Sequence, residues 1–400
     1  MRTAYKCRAY PTPEQAGVLN RTFGCVRVVW NRTLAWRHDR YRTERAKTGF
    51  AQANAYLTAM KATDELAWLN EVSSVPLQQA IRHQQAAFTN FFAGHARHPR
   101  YKSRTGRQSA EYTRSGFRYR DGRRLLLAKM DAPLAFAWSW PEVDPAAIDP
   151  STVTVSRDPC GRWDVSFAVD VAAPDRLPTT GGVVAVDLGV TDFAVTSDGE
   201  RIPNPRHLAK RERNLARYQR RQARKTRGSS NHQKARAKVA RAHRKVRAAR
   251  TDFLHKTSTR LVRDHDVIVI EDLAVTNMVR NRRLAKAISD CGWGTFRRML
   301  EYKTARSGRH LVVVDRWLPS SKTCSACAHL LAHLRLGTRA WQCPSCGTRH
   351  DRDINAAKNI LAAGLAVPAC GGDVRRSGSP VVQPPAKQEP RPVKVGLPRL

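Results

Sequence analysis

Acidic residues are scarce in this 400-residue chain: 33 Asp and Glu face 71 Lys and Arg, a formal net charge of +38. Such self-repulsion is tolerable mainly when a polyanion neutralises it, which excludes an ordinary neutral metabolic enzyme and points to nucleic acid. Long hydrophobic runs are also lacking. No stretch reaches the roughly 18 apolar residues of a membrane span, and no apolar run follows the charges of Met1 to Arg8 as in a secretory leader. No membrane partner and a cytoplasmic location are therefore expected. Cysteines are few, nine in all, and Cys7, Cys25, Cys160, Cys291 and Cys370 are scattered, which excludes a disulfide scaffold. With 41% hydrophobic residues the chain is still no disordered polycation and can build two or three domains with cores.

Ala4–Tyr10 reads as a strand ended by the Pro11-Thr12-Pro13 turn. Val18, Leu19, Phe23, Val26, Val29, Trp30 and Leu34 then recur at helical spacing, and further helices are expected over 51–68 and 74–96. Between Arg97 and Arg124 ten Lys and Arg meet only Glu111 and Asp121, interleaved with Tyr101, Tyr112, Phe117 and Tyr119. Rings among cations suit base stacking beside phosphate contacts, with Arg100, Tyr101, Lys102 and Arg104 as candidates. The alternative is a solvated basic loop leading into a sheet. From 123 to 171, Leu125–Leu127, Thr152–Val155 and Trp163–Val171 are separated by Asp-Pro and Pro-Glu turns, the pattern of a small β-barrel or sandwich. The opening strand is expected to join it, making the helices an insertion, and Pro174–Gly182 reads as a linker.

The second half is patterned differently. Val183-Val184-Ala185-Val186-Asp187-Leu188-Gly189 is a continuous apolar run ending in an acid and reads as a buried strand, with strands expected next at Phe193–Ser197 and Glu200–Ile202. Arg206–Arg250 carries 18 Lys and Arg against Glu212 alone and reads as two helices joined at Gly228–Asn231, with Arg220, Arg221, Arg224 and Lys225 as candidate phosphate contacts. Strands at Val267–Glu271 and Leu311–Asp315 flank a helix at Phe296–Ser307, and a last helix spans Asp353–Ala363. Asp187 closes the first of these strands, Glu271 the fourth, and Asp353 opens the final helix. In an RNase H-type sheet the first and fourth strands are neighbours, so the three carboxylates converge and can hold two Mg²⁺ ions for phosphodiester hydrolysis. Singly, each acid reads equally as a cap or an ion-pair partner.

Cys324, Cys327, Cys343 and Cys346 form two CxxC pairs separated by fifteen residues, the spacing of a closed, structural four-cysteine zinc site; two disulfides are the alternative. Lys322, Arg335, Arg339 and Arg349 around it favour nucleic acid, Lys322 being the chosen candidate.

These residues resemble the TnpB family, the OrfB-type proteins of insertion-sequence transposons, similar to the type V CRISPR nucleases. The resemblance runs through Tyr10-Pro11-Thr12-Pro13-Glu14-Gln15, Phe23-Gly24-Cys25, Trp30-Asn31 and Pro99-Arg100-Tyr101-Lys102-Ser103. It continues in Val186-Asp187-Leu188-Gly189, Ile270-Glu271-Asp272-Leu273, Glu301-Tyr302-Lys303, Pro319-Ser320-Ser321-Lys322-Thr323-Cys324 and Asp351-Arg352-Asp353-Ile354-Asn355-Ala356-Ala357. It implies an α/β RNase H-like (RuvC) nuclease domain at 176–319 and 351–366 with a zinc-ribbon insertion at 320–350. It also implies a wedge-like β-barrel at 1–10 and 97–175 with an inserted helical recognition lobe at 11–96, and a disordered tail is expected at 367–400. The implied activity is RNA-guided, Mg- or Mn-dependent cutting of double-stranded DNA beside a short transposon-adjacent motif. The implied guide RNA is transcribed from the transposon end, with one protein copy per RNA, and Asp187, Glu271 and Asp353 are catalytic. Asp351 falls outside the helix register and is expected to be a cap. Ala328 stands where the family has Gly, so strain is expected in the first zinc knuckle. A transposase and a nuclease-inactive, guide-dependent DNA-binding regulator are the alternatives.

Overall fold

Strict alternation makes the first strand: β1 (Arg2–Tyr10) buries Tyr5, Cys7 and Ala9 and turns its other residues outward. In this computed structural model residues 1–120, 124–172, 176–335 and 337–369 are described. They form two units, residues 1–174 with 207–249, and residues 175–206 with 250–400.

In the first unit Thr12 starts a helix through a capping box. Its side chain accepts from Gln15 N, the Gln15 side chain accepts from Thr12 N, and Pro13 takes the first turn. α1 (Pro13–Glu44), α2 (Phe50–Ala62) and α3 (Ser74–Phe92) follow. The helix expected over 51–68 is interrupted, because the Thr63 hydroxyl bonds back to Met60 O and the chain continues as a 3-10 turn, Asp64–Glu71. β2 (Gln108–Thr113), β3 (Phe117–Arg120), β4 (Arg124–Leu127), β5 (Ala135–Ala137), β6 (Pro150–Arg157) and β7 (Trp163–Asp170) complete the β-structure. Their main sheet has the order β2-β6-β7-β1-β5, so the opening strand does join it and the helices are inserted between its strands. The expected barrel is not formed as a closed sheet: β3 and β4 make a separate hairpin, linked toward β5 by the single bridge Leu125–Leu134. Alternating short strands specify an antiparallel sheet, but closure depends on strand tilt and stagger, which the pattern does not encode. The basic hairpin is α4 (Glu212–Ala223) and the start of α5 (Ser230–Asp264), joined through Gly228 at φ +89°.

The second unit holds β8 (Val183–Leu188), β9 (Asp192–Thr196) and β10 (Arg201–Pro203). It continues with the end of α5, β11 (Val267–Glu271), α6 (Val275–Met278), α7 (Ala285–Cys291), α8 (Trp293–Ser307) and β12 (His310–Val314). A small hairpin, β13 (Ala340–Gln342) and β14 (Arg349–Asp351), precedes α9 (Arg352–Ala369). The sheet order is β10-β9-β8-β11-β12, with β8, β11 and β12 parallel. Val184, Val186, Ile268 and Ile270 pack with Leu254, Leu261, Phe296 and Leu300 of α5 and α8, whereas Ala185, Val269, Val312 and Val314 pack with Ile360 of α9. Burial on both faces explains runs of apolar residues without alternation. α9 lies so close to the sheet that a Cβ on Gly364 would meet Val269 Cγ1 at 2.4 Å. Short α6 and α7 were not foreseen, being below one helical repeat of apolar residues. The expected linker is tied down where it is described: Thr180 N and Gly181 N donate to the Asp266 carboxylate. Residues 367–369, expected as tail, belong to α9, and the tail from 370 lies outside the described residues.

Candidate active site and zinc centre

Strand parity assembles the carboxylates. Ala185 and Val269 face α9, so Asp187 and Glu271, two residues further along each strand, face it too. Register aligns them: Ile270 is opposite Val186, which brings Glu271 level with Asp187 at the carboxyl ends of two adjacent parallel strands. α9 crosses the same face and begins at Arg352, so Asp353 enters from its first turn. Asp351 is the N-cap, its Oδ1 accepting from Asp353 N and Ile354 N at 3.1 Å. The expected cap is thus present, and it fixes the turn that carries Asp353.

The electrostatics are those of a crowded anionic site. Burial first, then the charge of Glu271 and then that of Asp353, push the Asp187 carboxyl up to about 7, with Arg352 opposing. Burial also raises Glu271, partly countered by the Ser320 hydroxyl, which donates to Glu271 Oε1 at 2.7 Å. Asp353 Oδ2 sits 3.4 Å from Arg339 Nη1 and 3.9 Å from Arg201 Nη1. Arg339 also donates to Thr191 Oγ1, and Arg201 holds Asp192 and Asp351. Turned to these arginines, Asp353 is not gathered with the other two acids as tightly as the zinc cysteines are with each other, which all lie within 4.8 Å. Asp187 and Glu271, both of which resist ionisation by themselves, offer hard oxygens of the kind that Mg²⁺ or Mn²⁺ takes, and Asp353 offers another from the first turn of α9.

The four cysteines do converge. Cys324 Sγ lies 3.7 Å from Cys346 Sγ and Cys327 Sγ 3.6 Å from Cys343 Sγ. Sulfurs about 2.3 Å from one ion at the corners of a tetrahedron are about 3.8 Å apart, so the donor set fits zinc. All four are free thiols, which removes the disulfide alternative. The knuckles are twins: Ala328 N donates to Cys324 O and Gly347 N to Cys343 O. Ala328 has φ +60° where Gly347 has +72°, so the alanine that departs from the family pattern lies in the left-handed region. His350 Nε2 is 3.0 Å from Cys324 Sγ and its ring packs on Trp341, which joins the ribbon's core to the strand that ends at Asp351.

The sequence reading missed the clasp that binds ribbon to helix. Asn355 and Asn359 each donate to Ser320 O and Thr323 O, and Ser325 N donates to Asn355 Oδ1. Its available signal was the i, i+4 spacing of two asparagines on an otherwise apolar helix face. Arg201, Arg339 and Ser320 were not placed at the carboxylates either, because each reaches its acid from a segment distant in the chain.

The nucleic-acid candidates divide. Trp30 Nε1 donates to Arg100 O, and the Asn31 side chain bonds both Lys102 N and Lys102 O, so this segment is strapped to α1. Lys102 is not free: its ammonium lies 4.2 Å from the centre of the Trp30 ring, and burial lowers its pKa. Arg100, Tyr101 and Arg104 face outward. Arg221, Arg224 and Lys225 line a cleft with Tyr218, Lys234 and Lys238 in the α4–α5 hairpin, and Arg220 is exposed beside it. Lys322 Nζ reaches Ala332 O at 3.4 Å within the ribbon.

The comparisons with known proteins agree with this architecture. A protein of Streptomyces pristinaespiralis named as a candidate RNA-guided DNA endonuclease is 51% identical over 100% of this chain and 99% of its own length. A candidate of the same description in Escherichia coli K12, InsQ, is 32% identical over 96% of this chain and 97% of its own. The chain belongs to the TnpB family. Residues 166–282 match a family model described as "Probable transposase", and residues 293–360 one described as "Cas12f1-like, TNB domain". A third, described as "Helix-turn-helix domain", matches residues 1–46, where this TnpB-family chain has one strand and the single helix α1. A Cas12f1 complex with guide RNA and target DNA shares the fold at TM-score 0.52 and 14% identity, covering 88% of this chain and 83% of that one. The mini RNA-guided endonuclease Cas phi3 does so at 0.50 and 10%, covering 91% and 92%.

Proposed function

We propose that this TnpB-family chain is an RNA-guided DNA endonuclease whose phosphodiester chemistry is carried by Asp187, Glu271 and Asp353. The supporting observation is the convergence of these three acids on one sheet face, in a chain of +38 whose full-length relatives bear that name. Asp187, Glu271 and Asp353 would hold magnesium or manganese, which would supply positive charge for activating water and stabilising the leaving oxygen. The chain's own residues orient the donors. Ser320 fixes the Glu271 carboxylate, Asp351 fixes the turn of Asp353, and Arg339 and Arg201 offset anionic charge and can meet a phosphate.

The finer reading is that the guide RNA comes from the transposon end and binds one protein copy, with recognition of a short motif beside the target. In this reading the open sheet and helices of the first unit are the wedge and recognition lobe. Arg100, Tyr101, Arg104 and the cleft of the α4–α5 hairpin contact nucleic acid.

Purified protein is expected to carry a discrete RNA whose sequencing names the guide. Asp187→Ala is expected to abolish cutting of a matched plasmid while leaving RNA binding intact. Specific cutting that survives RNase treatment of the complex would sink the guide reading. Joining of labelled transposon ends without double-strand cuts would favour the transposase alternative instead.

A further inference from the structure

Trp317 is the most exposed large hydrophobic side chain among the described residues, at 84%, yet it sits in a hydrogen-bonded turn. It sits between β12 and the zinc ribbon. Its own N–H donates to Asp315 Oδ1 at 2.7 Å, and Leu318 N closes the turn on Asp315 O. On one side Arg316 pairs with Asp272, the residue after Glu271, and Asp272 is also held by Arg297, which pairs with Glu301 at 3.0 Å. On the other side Leu318 packs beneath the sheet and Ser320 donates to Glu271 itself. Both flanks of the turn are therefore bonded to Glu271 or its neighbour. The indole between them makes no ring, cation or hydrogen-bond contact with any described residue.

Packing does not account for an exposed, unpartnered indole in a turn whose flanks are bonded to Asp272 and Glu271. Substrate binding does. Three carboxylates repel a phosphodiester, so a strand approaching them gains from a contact that carries no charge, and stacking of a base on an aromatic face is one. A base inside a duplex has both faces covered by its neighbours, whereas every unpaired base offers one, so a single strand is the occupant taken here.

We infer that Trp317 is a stacking platform for one unpaired nucleobase of the DNA strand entering the carboxylate site, and that it sets the register of that strand across Asp187 and Glu271. This rests on the nuclease reading of the site.

The test uses the full-length RNA-bound protein in single-turnover cleavage with mapped product ends. W317A is expected to slow cutting about 5- to 150-fold, the equivalent of about 1–3 kcal/mol for the removal of one stack, and to scatter the cut positions. W317F is expected to restore rate and position, and W317L is not. RNA loading and thermal unfolding should be unchanged. An abasic site scanned along the target strand should reproduce the W317A defect at one position and add nothing to it in W317A. Equal rates and cut sites for W317A and wild type would overturn the platform alone, as would rescue by W317L or the lack of any non-additive abasic position. A wild-type complex that cuts no matched DNA with Mg²⁺ or Mn²⁺ would overturn the nuclease reading and the platform with it.

Discussion

Asp187 and Asp351 show how two acids near the carboxyl ends of strands come to differ. Asp187 is held near other carboxylates in a buried place, and its pKa rises to about 7; Asp351 spends its charge on a helix start and on Arg201. A carboxyl that binds its proton more tightly when folded than its unfolded value near 3.9 stabilises the fold fully below about pH 4, and this stabilisation is lost as pH rises through 7. Without added Mg²⁺, Asp187→Asn is therefore expected to gain thermal stability relative to wild type between pH 5 and 8. His38 and His255, lowered by burial, act in the opposite direction over the same window, so the difference between the two proteins is the quantity to measure. No pH-dependent difference would remove the crowded-acid account. Asp351→Ala should cost about 1 kcal/mol, the worth of an N-cap, and slow cutting less than about tenfold. Asp353→Ala should abolish cutting, and comparing the two in the same cleavage assay separates cap from catalyst. The three candidate acids could be picked from the sequence because two of them end apolar runs and the third opens a helix. Arg201, Arg339 and Ser320 were not, because they reach the acids from separate loops and strands.

Elements explain why the acids face one way. Parity and register of β8 and β11 decide it, and α9 completes the site only because Gly364 lets the helix settle onto Val269. The zinc ribbon is the element most completely written in the sequence, since four cysteines at fixed spacing have one compact solution. Even its irregularity was legible: Ala328 occupies a left-handed position that its twin fills with Gly347. Ala328→Gly is expected to stabilise the ribbon by about 1 kcal/mol, read as slower zinc loss to a chelator and a higher unfolding temperature. The opposite sign would show that the knuckle relaxes elsewhere. The barrel was less legible. Alternation found β1, β4, β6 and β7 and the return of β1 to the sheet, but not β2, β3 or β5, nor that the described sheet stays open, because closure is a property of stagger between distant strands.

At the scale of the whole molecule, charge is the dominant feature. Residues 206–250 hold 18 Lys and Arg, which exceeds the grip that fold stability requires, since only a thin apolar edge of α4 and α5 is buried. Binding to RNA should fall steeply with salt. Replacing Arg220, Arg221, Arg224 and Lys225 by Gln is expected to reduce the log–log salt slope by about 3 to 4, roughly one unit for each phosphate that is no longer neutralised. An unchanged slope would place the RNA elsewhere.

The amino-acid sequence by itself pointed to a polyanionic partner, the cysteine cluster, the five strands of the second-unit sheet with the long helices, and the three candidate acids at element ends. Those are matters of composition, spacing and period, which act over a few residues. Tertiary structure alone decided which groups tune the acids, that Lys102 is consumed by Trp30, and that the Trp317 indole is left exposed in a turn flanked by bonds to Asp272 and Glu271. Each of these depends on residues far apart in the chain meeting at atomic distance, and burial and hydrogen bonding take effect only after the strands have paired.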